Sequence, residues 1–164
     1  MVKKIIVVTL VLVIALGAWL SYYFSDKEVI KRQLAGLAVE LSKEGRETPV
    51  QMALKMREVK DMLADSCQVV VPQRNYREAV EQDLIIRYLI YHRNRYTLIM
   101  VAFEDLEIEI PAKGQAQVQS TVRLQRQQGN GATAVEVHPL ELSLTKGDKA
   151  WLLKAVTMPE ALIR

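Results

Sequence analysis

LSLTKGDKAWLLKAVTMPEAL, Leu142 to Leu162, is the stretch whose reading decides the fold. Leu142 and Leu144 alternate with Ser143 and Thr145, the period of two of a half-buried strand. Lys146-Gly147-Asp148-Lys149 supplies turn chemistry, with glycine free to take positive φ and aspartate able to bond its own backbone. Ala150 to Met158 reads as the final strand, with Trp151, Leu153 and Ala155 on one face. The chain thus closes on an antiparallel hairpin whose last strand opens with tryptophan.

The same period extends upstream. Thr97 to Ile110 reads as one long strand, or two with a kink near Glu104-Asp105, and Leu106, Ile108 and Ile110 alternate with Glu107 and Glu109. Beyond Pro111 to Gly114, Ala116, Val118, Ser120, Val122 and Leu124 alternate with Gln115, Gln117, Gln119, Thr121 and Arg123. Gly129-Asn130-Gly131 makes a turn. Val135 and Val137 face one way while Leu140, Leu142 and Leu144 hold the opposite parity, so a bulge is expected at Pro139. A meander of about four strands with one apolar face needs a cover.

The preceding part of the chain supplies it. Ser25 with Glu28 is a capping-box pattern opening a helix from Asp26 to about Glu44, where Gly45 is a good stop; Val29, Ile30, Leu34, Leu37, Ala38 and Leu41 form its stripe. Thr48-Pro49 opens a second helix with Met52, Met56, Val59 and Leu63 inward. Cys67 to Val71, closed by Pro72, is a short strand, with Cys67 a small buried hydrophobe. Asn75 and Glu78 suggest a third capped helix running to about Arg93, buried in its second half, Leu84 to Tyr91, and ending in a solvated basic cluster, His92 to Arg95. Three helices on a curved antiparallel sheet make an α+β, cone-like domain over residues 25–164.

Residues 1–24 are separate in kind. Ile5 to Phe24 holds no charge and no proline over 20 residues, which as a helix spans roughly 30 Å, a bilayer's hydrocarbon thickness. Its twelve Leu, Ile, Val and Phe residues gain about 4–7 kcal/mol on insertion. Trp19, Tyr22, Tyr23 and Phe24 cluster at the far end, and Lys3 and Lys4 favour a cytoplasmic N-terminus. The expectation is a single-pass anchor in a bacterial inner membrane with the domain in the periplasm. The alternative is a signal peptide cleaved before Ala18, after the small residues Ala15 and Gly17.

The chain of 164 residues carries a formal charge of +3, but setting Lys3 and Lys4 aside leaves 20 basic against 19 acidic residues, a net +1. A near-neutral domain has no electrostatic reason to hold nucleic acid. Cys67 is the only cysteine, which excludes an intrachain disulfide framework.

On this element order and the ending quoted above, the chain from Asp26 to Leu162 resembles the nuclear transport factor 2-like superfamily, the cystatin-like cone that includes SnoaL-like proteins. The resemblance implies a scaffold reused for isomerases, hydrolases, binding proteins and assembly parts. With a membrane helix in front, it also looks like the inner-membrane scaffold subunits of type IV secretion systems. Members resembling ketosteroid isomerase take an oxyanion-donor tyrosine from the first helix of the cone, and Asp26 to Glu44 has none. Relatives often dimerise through the open sheet face, where Gln115, Gln117, Gln119 and Gln125 fall here.

The chemistry legible in the residues is sparse. Asp65, Asp83 and Glu104 are candidate acids, and Asp83 is the best of them because it precedes the apolar half of the third helix. His92 and His138, the two histidines, lie 46 residues apart without ligand spacing, so neither a metal site nor a cofactor is expected. Met56, Tyr88, Phe103 and Trp151 are expected to line the mouth of the cone, or else to fill its core. The main expectation is a membrane-tethered extracytoplasmic binding or assembly module without catalysis; the alternative is an enzyme using the cone pocket on a small apolar molecule.

Overall fold

The computed structural model describes the backbone of residues 2–23 and 25–163 and the side chains of residues 9–19 and 25–162. α1 (Val2–Tyr23) covers the apolar run. Its large side chains from Leu10 to Trp19 are all more than half exposed. Among the described residues no helix is long and apolar enough to cross a membrane. Residues 9–19 fall short of the roughly 20 a span requires, and both ends of the expected span lie outside the described side chains.

α2 (Asp26–Leu41) starts at Ser25, whose Oγ accepts from the Glu28 backbone N–H at 3.4 Å, and buries Ile30, Leu34, Leu37 and Ala38. It ends three residues earlier than the glycine suggests. Ser42 Oγ donates to the Ala38 carbonyl at 2.7 Å and accepts from the Val101 N–H at 3.0 Å, which turns the chain into the short edge strand β1 (Lys43–Glu44). Gly45, at φ +70°, follows that strand. α3 (Pro49–Asp61) begins with a complete capping box between Thr48 and Gln51 and buries Met56 and Val59. β2 (Leu63–Val71) begins at Leu63, so that residue belongs to the strand and not to the helix.

The expected helix from Asn75 is overturned. Asn75 sits at φ 51° after a single 3-10 turn, and β3 (Tyr76–Glu81) pairs antiparallel with β2 from Val71↔Tyr76 to Ser66↔Glu81. Asparagine caps helices, but it also tolerates the left-handed conformation of a tight turn, and here the second property wins. α4 (Gln82–Asn94) starts only at Gln82, whose Nε2 donates to the carbonyls of Lys60 and Leu63. The expectation that its second half is buried is also wrong. α4 covers α3, β2 and β3 with Ile85, Ile86, Leu89 and Ile90, while Leu84, Tyr88 and Tyr91 are 51%, 44% and 63% exposed.

β4 (Leu98–Ala112), β5 (Gln115–Gln127), β6 (Ala134–Lys146) and β7 (Trp151–Thr157) complete one seven-stranded sheet in the order β1-β4-β5-β6-β7-β2-β3. β2 runs parallel to β7, and every other pair is antiparallel. The kink in β4 is where the residues placed it, with Asp105 at φ 52° and the register shifting between Glu104 and Glu107. The bulge at Pro139 does not exist. β5 and β6 keep one register from Arg126↔Ala134 through Thr121↔Pro139 to Gln115↔Thr145. Val135 and Val137 are simply exposed on the outer face, at 53% and 49%. The irregular residue lies in β7 instead, where an extra Lys154 shifts the register against β6, so Val156 rather than Ala155 joins Trp151 in the core. That core runs from Ile30, Leu34 and Leu37 through Met56 and Val59 to the inner face of β4–β7. The architecture is an α+β cone with helices on a curved sheet.

Candidate functional site

An unbroken register in β6 fixes what the inner face carries beyond the core. Residues sharing the parity of Leu140, Leu142 and Leu144 are His138 and Glu136, so the inner face of β6 ends in polar, half-buried side chains. The neighbouring strand adds Arg126, two residues beyond the inward Leu124. Arg126 NH2 donates to Glu136 Oε1, and His138 Nε2 lies 3.3 Å from Glu136 Oε2. Tyr96, just past α4, completes the group: the Arg126 guanidinium stands 5.5 Å from its ring centroid, with NH1 at 3.5 Å from the phenolic oxygen.

α4 supplies the facing wall. Tyr88 and His92 are one turn apart, and their rings touch at a 42° tilt with 4.2 Å between centroids. Between α4 and the sheet lies a cavity of about 170 Å³, lined by Tyr88, His92, Tyr96 and Arg126 with apolar walls from Leu41, Met56, Ile99, Leu124 and Leu162. Burial, then the positive charges of Arg95 and Arg126, hold the His92 imidazole below its ordinary pKa of 6.5. Burial pushes the Tyr88 phenol up. The hydrogen bond from Arg126 keeps Glu136 low against the opposing effect of burial. At neutral pH the cavity therefore holds a neutral imidazole beside a guanidinium, a combination suited to moving protons.

Arg93 also touches this cavity but is fully engaged elsewhere. It is 3% exposed; Nε and NH2 donate to the two Glu47 oxygens at 2.9 and 2.6 Å, and NH1 and NH2 donate to the carbonyls of Glu40, Leu41 and Ser42. Within the expected solvated helix end, Asn94 and Arg95 are exposed, but Arg93 is a buried clamp between α4 and the C-terminus of α2, whose free carbonyls attract a cation. Burial raises the Glu47 pKa, yet hydrogen bonds from Arg93 and Lys55 outweigh it and leave the carboxyl below its usual range.

Of the residues expected at the mouth, Met56 and Tyr88 line the cavity; Phe103 and Trp151 do not. Phe103 packs against the core, and Trp151 is 1% exposed within it. Asp83 is on the surface, its side chain 63% exposed and paired with Lys60 at 2.7 Å, which holds its carboxyl low. Asp65 is exposed on β2. Glu104 pairs with Arg123 at 2.8 Å, away from the cavity. Burial pushes the Cys67 thiol up to about 11. Among the described residues no three metal-ligating side chains converge. The sequence reading missed Tyr96 and Arg126 on the cavity wall, and Glu136 and His138 behind Arg126. Parity would have found the two β6 residues had alternation been carried straight through Pro139.

No family model matches this sequence, and neither does any curated protein. Solved structures do match it in shape. A protein of Novosphingobium aromaticivorans provisionally named a scytalone dehydratase superposes with a TM-score of 0.66 at 14% identity, over 81% of this chain and 82% of that one. A provisional dehydratase of the nuclear transport factor 2-like family from Streptomyces avermitilis gives 0.65 at 9% identity, over 82% and 95%. A nuclear transport factor 2-like protein from Cytophaga hutchinsonii gives 0.61 at 15%, over 83% and 98%. The fold is the nuclear transport factor 2-like cone.

Proposed function

We propose that the chain is a small-molecule enzyme that moves a proton within the cone, the reaction class to which dehydratases and isomerases belong. The observation that carries this is the cavity whose lining brings a neutral His92 and the Tyr96 phenol together among apolar side chains. His92 takes a proton from carbon beside a carbonyl and returns it to carbon or to a leaving hydroxyl. The Tyr96 O–H donates to the carbonyl oxygen as negative charge develops there, and Tyr88, packed at a tilt against the imidazole, holds it in place. The provisional names of two structural neighbours, both dehydratases, point to the same class. This reading displaces the noncatalytic module as the better account.

The test is proton–deuterium exchange at carbon in a panel of small cyclic ketones and β-hydroxyketones, followed by NMR. The wild type should catalyse exchange, and His92→Gln should lower it by about 10²–10⁴-fold. Asp83→Asn, on the surface, should leave it unchanged. Exchange no faster than buffer, or unaffected by His92→Gln, sinks the reading. Because the imidazole must be neutral, the rate should fall as pH drops, with its midpoint below the ordinary imidazole value of 6.5.

We also propose that α1 tethers this domain to a bacterial inner membrane, with residues after Phe24 in the periplasm. The uncharged run Ile5 to Phe24 and the exposure of its apolar side chains support this.

A further inference from the structure

We infer that the cavity is built for a small planar monocarboxylate, such as an aromatic or unsaturated acid, gripped by Arg126; this rests on the cavity being the site proposed above. Arg126 and Arg93 are the charged groups lining the cavity among the described residues, and no carboxylate lines it. Arg93 cannot read a ligand, because Glu47 and three backbone carbonyls already take its donors. Arg126 is different. A guanidinium has five N–H donors, and among the described residues Arg126 engages one on Glu136 and one, at 3.5 Å, on Tyr96.

The partners of Arg126 set its direction. Glu136 is itself approached by His138 and does not line the cavity, whereas Arg126 does. The carboxylate thus holds one edge of the guanidinium and leaves the rest toward the cavity. The Arg126 side chain is only 16% exposed, so water competes weakly for its remaining donors. A carboxylate is the planar acceptor that matches such a fork. The other walls select the body of the ligand. Tyr88, His92 and Tyr96 line the cavity with aromatic side chains, and Leu124 and Ile99 offer apolar surface. A dry cavity of about 150 Å³ accommodates benzene, so 170 Å³ takes one ring with its acid group.

The probes are sodium benzoate and its neutral isostere benzamide, titrated calorimetrically into the full chain at constant ionic strength. His92 is followed by NMR, where two histidines make assignment direct. Benzoate should bind at least tenfold more tightly than benzamide and shift the His92 signal. In Arg126→Gln the preference should fall to within twofold. Equal binding of the two probes to the wild type, with the His92 signal moving for both, overturns this inference and leaves the enzyme reading standing. A benzoate preference that survives Arg126→Gln also overturns it. Binding of neither probe overturns the inference and the small-molecule pocket together. The comparison on the wild type needs no variant to fold.

Discussion

Trp151 shows how one side chain serves the core without serving the site. It is 1% exposed, its backbone N–H donates to Gln33 Oε1 at 3.0 Å, and its carbonyl accepts from Gln33 Nε2. These bonds fasten the start of β7 to α2. Its indole N–H is buried without a partner among the described residues. An unpaired buried donor costs about 1–3 kcal/mol, so the ring is retained for its volume. Trp151→Ala should therefore cost about 3–5 kcal/mol in a urea titration, and Trp151→Phe much less, because it removes the unpaired donor while filling most of the space. Equal losses for the two variants would show that the indole N–H finds a partner.

At the scale of elements, the Arg93 clamp decides how α4 sits. It joins α4 to the last turn of α2 and to the loop carrying Glu47, and Lys55 of α3 approaches the same carboxylate at 3.2 Å. Three helices are thereby tied at one point beside the cavity. Removing one member of a buried pair typically costs about 3–5 kcal/mol, because the other charge is stranded. Glu47→Gln should show a loss of that order at neutral pH. The Glu47 pKa is lowered in the folded state, so its contribution is present above the unfolded value and is lost as pH falls through the folded one. The stability gap between wild type and Glu47→Gln, read from urea midpoints, should accordingly shrink from about pH 7 to about pH 3. A gap constant with pH would mean that Glu47 acts through packing rather than charge.

For the whole molecule, the question is where α1 puts the domain. α2 begins three residues after α1 ends, so an inserted α1 keeps the cone close to the bilayer surface. A reporter enzyme active only in the periplasm, fused after Arg164, should be active and should sediment with membranes. Activity in the soluble periplasmic fraction would show cleavage near Ala18, and an inactive reporter would reverse the topology.

The alternation of Leu142 to Leu162, the glycine-rich turns and the capping residues Ser25 and Thr48 determined an α+β domain of helices on an antiparallel sheet, the kink at Glu104-Asp105 and the burial of Trp151. These features are local: period, turn chemistry and caps act within a few residues of themselves. Tertiary structure alone decided the rest. Asn75 can start a helix or turn a hairpin, and only the free edge of β2 selected the hairpin. Arg93 reads as a solvated helix end until α2 brings its carbonyls and Glu47 to it across some fifty residues. Asp83 looked catalytic from its place beside an apolar run, but its own side chain stays at the surface, where Lys60 meets the carboxylate. The cavity joins His92 and Tyr96, four residues apart across the end of α4, to Arg126 from β5, and nothing in the sequence spacing links the arginine to the other two. Which charges share a pocket depends on how sheet and helices close over one another, and that closure is set by the summed burial of the core rather than by any one segment.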